Sequence, residues 1–118
     1  MIKNQIERML CHLCIGLLTS LLKKEISLRE AEQLLFSPFT NEYLKENKIS
    51  EDVTDIIHRG CELEDIESLI PEKFDIKVKK LIERASEVLK KLPEIDFQEP
   101  TWFSLLILEK MKPDRVPE

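Results

Sequence analysis

The chain reads as one compact all-α domain of five to seven helices, and three observations lead there. Apolar residues recur at helical rather than alternating spacing, most regularly between Phe74 and Leu92. Helix-starting residues precede several apolar runs and prolines follow them, with Ser27, Thr40 and Ser50 as starts and Pro38, Pro71 and Pro93 as stops. Two glycines in 118 residues leave little turn chemistry for a β-sandwich. At 42% apolar and 35% charged residues, the composition supports a core with a solvated shell. This length suits a single domain that buries roughly two-thirds of the surface its unfolded chain exposes. Residues 1–111 are expected to form that domain, and 112–118, with two prolines, a disordered tail.

The first helix is expected over about Lys3 to Lys24. At ~100° per residue, Gln5, Arg8, His12, Gly16, Thr19 and Lys23 form a narrow polar stripe on it. Leucines and other apolar residues cover the rest, as in the central helix of a bundle or an oligomer interface. Gly16 costs about 1 kcal/mol of helix propensity and leaves room for another backbone to approach. Ser27 and Glu30 have the spacing of a capping box for a second helix with Leu28, Ala31, Leu34 and Leu35 inside. Thr40 is expected to cap a third helix, with Phe39 and Leu44 as its hydrophobic staple. Ser50 caps a fourth, whose Glu51 and Asp52 suit the positive end of the helix dipole. Gly60 is placed to close that helix in the left-handed conformation. Leu63, Ile66, Leu69 and Ile70 give a short acidic helix its inner stripe, and Pro71 ends it or opens the next. The long amphipathic helix, at about 72–92, buries Phe74, Val78, Leu81, Ile82, Ala85, Val88, Leu89 and Leu92, and is expected to pair with the first at the centre. Residues 102–111 read as a helix or a strand by period alone, and the helix is preferred because a lone strand has no partner here.

A soluble, cytoplasmic protein is expected. The apolar run from Met9 to Leu22 is interrupted by His12, Gly16, Thr19 and Ser20 and falls short of the ~20 residues that cross a bilayer. Lys23 and Lys24 follow it, rather than a small-residue cleavage site. Three cysteines, two of them at helical spacing in that run, fit a reducing compartment better than a disulfide scaffold. The formal charge of −5 argues against general nucleic-acid binding, which needs a basic surface.

Candidate chemistry is sparse. Cys11 and Cys14 form a C-x-x-C, but one inside a helix rather than at a helix start after a strand, so both sulfurs read as small core hydrophobes. His58 and Cys61 add a second ligand-type pair, and with Cys11 and Cys14 they make a conceivable Cys₃His zinc set. His58 nevertheless projects with Glu51 and Asp55 on a solvated side. Calcium-loop, di-iron, phosphate-loop and nucleophile motifs are all missing. No catalytic residue, metal ligand or cofactor is therefore assigned; Arg8, His12 and Thr19 would be the first residues to inspect in an unrecognised enzyme.

Charge geography is more informative. Residues 51–75 carry nine acidic and two basic side chains, a local charge of −7, and residues 77–91 carry +4. These stretches either pair with each other or lie on different faces. An exposed acidic face would steer a basic partner toward it, and Glu62, Glu64, Asp65 and Glu67 are its candidate residues.

The segments Ser27–Thr40 (SLREAEQLLFSPFT) and Ile56–Glu72 (IIHRGCELEDIESLIPE) resemble a family of small bacterial proteins of about 110 residues, a domain of unknown function found mainly in Gram-positive species. The resemblance implies a bacterial intracellular protein and transfers no site residue. The expected role is that of a non-enzymatic protein-interaction or regulatory protein presenting an acidic face. The partner is expected to be a protein, either basic or a second copy of the chain, and neither nucleic acid nor membrane. Alternatives are an immunity-type neutraliser of a basic toxin, a structural zinc-binding protein, and an enzyme with an unrecognised site.

Overall fold

The computed structural model describes residues 2–94 and 109–111. Six α-helices follow in order: α1 (Ile2–Leu22), α2 (Leu28–Leu34), α3 (Pro38–Glu46), α4 (Glu51–Cys61), α5 (Leu63–Leu69) and α6 (Phe74–Lys91), the last preceded by a 3-10 turn at Pro71–Lys73. The all-α class agrees with the expectation. The preference for helix over strand at 102–111 lies outside the described residues except at 109–111, where Glu109 and Lys110 are helical, and the tail at 112–118 lies outside them altogether.

The most extensive packing is between α1 and α6. They run antiparallel: Arg8, early in α1, reaches the end of α6, while Lys24, just past α1, lies 3.9 Å from Asp75 at the start of α6. From α1 the core takes Leu10, Cys11, Cys14, Leu18 and Leu21; from α6 it takes Phe74, Val78, Leu81, Ala85 and Val88. Val53, Ile56 and Ile57 of α4 are completely buried against them, as is Leu63. Each such aliphatic side chain contributes about 1.5–3 kcal/mol of burial free energy.

Two neighbouring residues of α1 tie down the ends of other helices. The Arg8 guanidinium donates to the carbonyls of Leu89, Leu92 and Pro93 at 3.4, 3.1 and 3.5 Å, satisfying acceptors at the negative end of α6. The Glu7 carboxylate, 3% exposed, accepts the Ser50 backbone N–H at 2.8 Å. Ser50 is the N-cap of α4 as expected, yet its side chain makes no capping bond. Glu7, arriving from α1, places the negative charge there instead.

Several expected local devices are rearranged. Ser27 caps α2 by accepting the Glu30 N–H at 3.0 Å, while Glu30 itself stays exposed. The cap of α3 is Ser37, not Thr40: its Oγ accepts the Thr40 N–H at 3.2 Å, and Pro38 takes the first helical position, where its missing N–H costs nothing. Phe39 is therefore already inside the helix, 79% exposed, and stacks on Tyr43 rather than stapling to Leu44. On α2, Leu34 is 60% exposed, because Ala31 before it and Leu35 and Phe36 after it take the core positions.

The glycines exchange roles with lysines. Gly60 does not close α4 in the left-handed region; it is buried inside the helix, where a Cβ would overlap the Phe36 ring, 2.7 Å from Cε1 and closer to Cδ1. The left-handed positions are Lys24 and Lys48, at φ 62° and 65°. Both close Schellman motifs, with Glu25 N–H bonded to Ser20 O at 2.9 Å and Ile49 N–H to Leu44 O at 3.1 Å. At the second motif Ile49 lies in the core cluster and half-buried Leu44 packs against that cluster. At Gly16 no described atom lies within 4 Å of the position a Cβ would take, so no described backbone uses the space expected there.

These placements predict opposite outcomes for two glycine exchanges. Gly60→Ala is expected to destabilise by about 1–3 kcal/mol through overpacking against Phe36. Lys48→Gly is expected to stabilise by a few tenths of a kcal/mol or more by relieving left-handed backbone strain. Urea unfolding of the two variants measures both.

Candidate functional site

Helix α5 is held by one face only. Leu63 is completely buried and Ile66 half-buried, which turns Glu64, Asp65 and Glu67 outward. Glu62, the single residue joining α4 to α5, is also exposed, and its carboxylate lies 3.6 Å from His58 Nε2. The inner stripe expected here is shorter than the sequence implies. Leu69 is 77% exposed and Ile70 38%, because the 3-10 turn at Pro71 redirects the chain before that turn of helix meets the core.

The fold adds a residue to this acidic face. Glu32, on α2, has its carboxyl pushed above the ordinary value of 4.5, first by burial and then by the charges of Glu64 and Glu67. Glu32 and Glu62 also raise the half-buried Cys61 thiol, after burial itself. Sequence spacing could not associate Glu32 with α5, because their proximity arises from the packing of α2. Farther along, a depression of about 350 Å³ is lined by Lys24, Glu67, Pro71, Glu72, Phe74 and Asp75. Among the described residues, Glu32, Glu64, Asp65, Glu67 and Glu72 form no ion pair. The exposed contact between Lys24 and Asp75 contributes little. The face is thus a run of carboxylates on the helix that also carries exposed Leu69.

The acidic stretch at 51–75 and the basic stretch at 77–91 adjoin each other around Asp55 and Glu62. Among the described residues they meet in one ion pair, Arg84 Nη2 to Asp55 Oδ2 at 3.4 Å. Arg59 Nε donates to the same oxygen at 2.9 Å, and that bond together with the carboxylate charge raises the Arg59 pKa. These groups line a depression of about 410 Å³ with Lys45, Glu51, Asp52, Thr54 and His58. Arg59 and Arg84 also border a neighbouring groove of about 260 Å³ with Glu62, Leu63, Ile66, Lys77, Lys80 and Leu81.

The other sequence candidates are dispersed. Arg8 is engaged with the end of α6, His12 is exposed and Thr19 half-buried. Cys11 and Cys14 are 1% and 0% exposed in the core, whereas His58 points to solvent. Among the described residues no group of three or more His, Cys, Asp or Glu side chains converges as a metal site, so the suggested Cys₃His set does not assemble. Burial pushes the Cys11 thiol up to about 11 and the Cys14 thiol up to about 12. Neither is a nucleophile at neutral pH.

Two measurements test this environment. At about pH 8, a small alkylating reagent is expected to modify Cys61 first, and Cys11 and Cys14 only at the rate of opening of the fold, as peptide mass spectrometry would read. Glu32→Gln is expected to raise the melting temperature at neutral pH. A carboxyl whose folded pKa is raised destabilises the native state once pH exceeds that value, and has no differential effect when both states are protonated. The gain from the amide should therefore vanish as pH falls below about 4.5.

By length and composition, α1 is the one helix among the described residues that is long and apolar enough to cross a membrane, and about a third of it is buried inside the protein. No curated protein and no solved structure matches the chain. A family model described as a protein of unknown function (DUF3969) matches residues 1–104. The chain therefore belongs to that family.

Proposed function

We propose that the protein is a small non-enzymatic interaction or regulatory protein whose α5 face docks a basic partner protein. The observation that carries this reading is the convergence of Glu32, Glu64 and Glu67 from two helices, with Asp65 and Glu72 beside them and none of the five in an ion pair among the described residues. Mutual repulsion in such a face is relieved when a cationic surface covers it, so part of the binding free energy is stored in the unbound state. The same field accelerates encounter, and exposed Leu69 on the same helix supplies an apolar anchor. An immunity-type neutraliser of a basic toxin or nuclease is one member of this class. The free, mostly buried cysteines support a reducing, cytoplasmic setting.

Parallel affinity capture from extract of the native host, with wild-type protein and the E64K/E67K double variant immobilised, tests the reading. A basic protein retained at low salt by the wild type and lost from the variant is the expected result. Capture of the same set by both would overturn it.

A second copy of the chain is the second reading, favoured by one observation on α1. Leu13 is 41% exposed between half-buried Met9 and Leu17, and no described residue packs within 4 Å of where a Cβ would stand at Gly16 beside them. Sedimentation at micromolar concentration should then show a dimer that Leu13→Glu dissociates; a monomeric wild type ends this reading.

A further inference from the structure

We infer that the groove between α5 and α6 is a docking site for a short acidic peptide segment of a partner protein, anchored by an apolar side chain. This site lies beside the acidic face and has the opposite sign. Its walls hold Arg59, Lys77, Lys80 and Arg84 against a single acid, Glu62, in a molecule whose overall charge is −5. Its apolar lining is Leu63, Ile66 and Leu81, of which half-buried Ile66 leaves the most surface to cover.

The cations are available. Lys77 and Lys80 are exposed and form no ion pair among the described residues. Arg59 and Arg84 each commit one nitrogen to Asp55, at 2.9 and 3.4 Å. Asp55 therefore acts as a positioning residue: it draws two guanidiniums to one end of the groove and leaves their remaining N–H donors for a carboxylate, which a guanidinium binds in forked geometry. The two lysines, three apart on α6, supply point charges along the wall.

The neighbourhood selects the occupant. A nucleic-acid strand needs a continuous cationic track, and this groove is interrupted by Glu62 and adjoins Glu51 and Asp52 in the next depression. A free inorganic anion gains nothing from Leu63, Ile66 and Leu81. A peptide with carboxylates on either side of one large apolar residue uses both the walls and the lining, and a volume of about 260 Å³ admits one such side chain. Charge complementarity here sets the class of partner and the rate of encounter, and the apolar contact holds the complex once formed.

Display selection of random peptides of about twelve residues on the immobilised protein, with a counter-selection on the K77E/K80E variant, tests the proposal. Enriched peptides are expected to be net acidic and to share a large apolar residue. A synthetic copy of one should bind the wild type about ten-fold more tightly than K77E/K80E and shift the backbone amide resonances of Ile66, Lys77, Lys80 and Arg84. E64K/E67K, which leaves the groove intact, should change that affinity by less than about two-fold. Both lysines are exposed, and an unchanged melting temperature will show that K77E/K80E folds. Absence of enrichment over the variant, enrichment of neutral or basic peptides, or resonance shifts confined to the outer face of α5 would each overturn the site. So would unchanged affinity when serine replaces the apolar residue, because binding would then be electrostatic alone.

Discussion

The antiparallel contact between α1 and α6 is the constraint on which the rest of the molecule depends. It places α1 so that Glu7 and Arg8, adjacent in sequence, reach the ends of two other helices. Arg8 donates to the last carbonyls of α6 and Glu7 accepts the N–H of Ser50 ahead of α4. Both are charged groups placed at the helix ends of opposite partial charge, where hydrogen bonding and the dipole act in the same direction. Hydrogen bonds of this charged kind contribute about 1.5–3 kcal/mol each when shielded, so the pair orients α4 and α6 as well as stabilising them.

That orientation decides what the surface offers. Because α4 is fixed on α1, Gly60 faces Phe36, and the ring can pack only where a Cβ is missing. Phe36 in turn follows α2, and the packing of α2 brings Glu32 to Glu64 and Glu67. On the other side, Asp55 of α4 meets Arg84 of α6 and holds Arg59 as well. A single short helix, α5, thus divides a carboxylate face from a cationic groove. The modest net charge conceals this arrangement, since charges of both signs cancel in the sum while remaining separated in space.

Legibility in the sequence followed the range of the interactions involved. The helices that bury a regular stripe, α1, α4 and α6, were readable from period alone, and the Ser27 and Ser50 cap positions from local residue chemistry. Errors arose where two local rules competed. Ser37, Pro38 and Thr40 offer two caps for one helix, and Pro38 at the first helical position favours the earlier one. The rule that glycine closes helices failed at Gly60, where close packing rather than a positive φ explains the missing side chain, and Lys24 and Lys48 took the left-handed positions. Spacing points Leu34 and Leu69 inward, yet both are exposed: Ala31, Leu35 and Phe36 take the core positions around Leu34, and the chain turns away at Pro71 beyond Leu69.

By itself the sequence determined the all-α class, the central pair of helices, the core character of Cys11 and Cys14, and the outward acids of α5. These follow from periodicity and from the local preference of charge for water, which act within a few residues. Tertiary structure alone decided that Arg8 clasps α6, that Glu7 caps α4, that Glu32 joins the acidic face, and that Cys11, Cys14 and His58 stay apart. Each of these depends on where one helix lies against another. That is set by the summed packing of side chains distant in sequence, for which local spacing carries no signal.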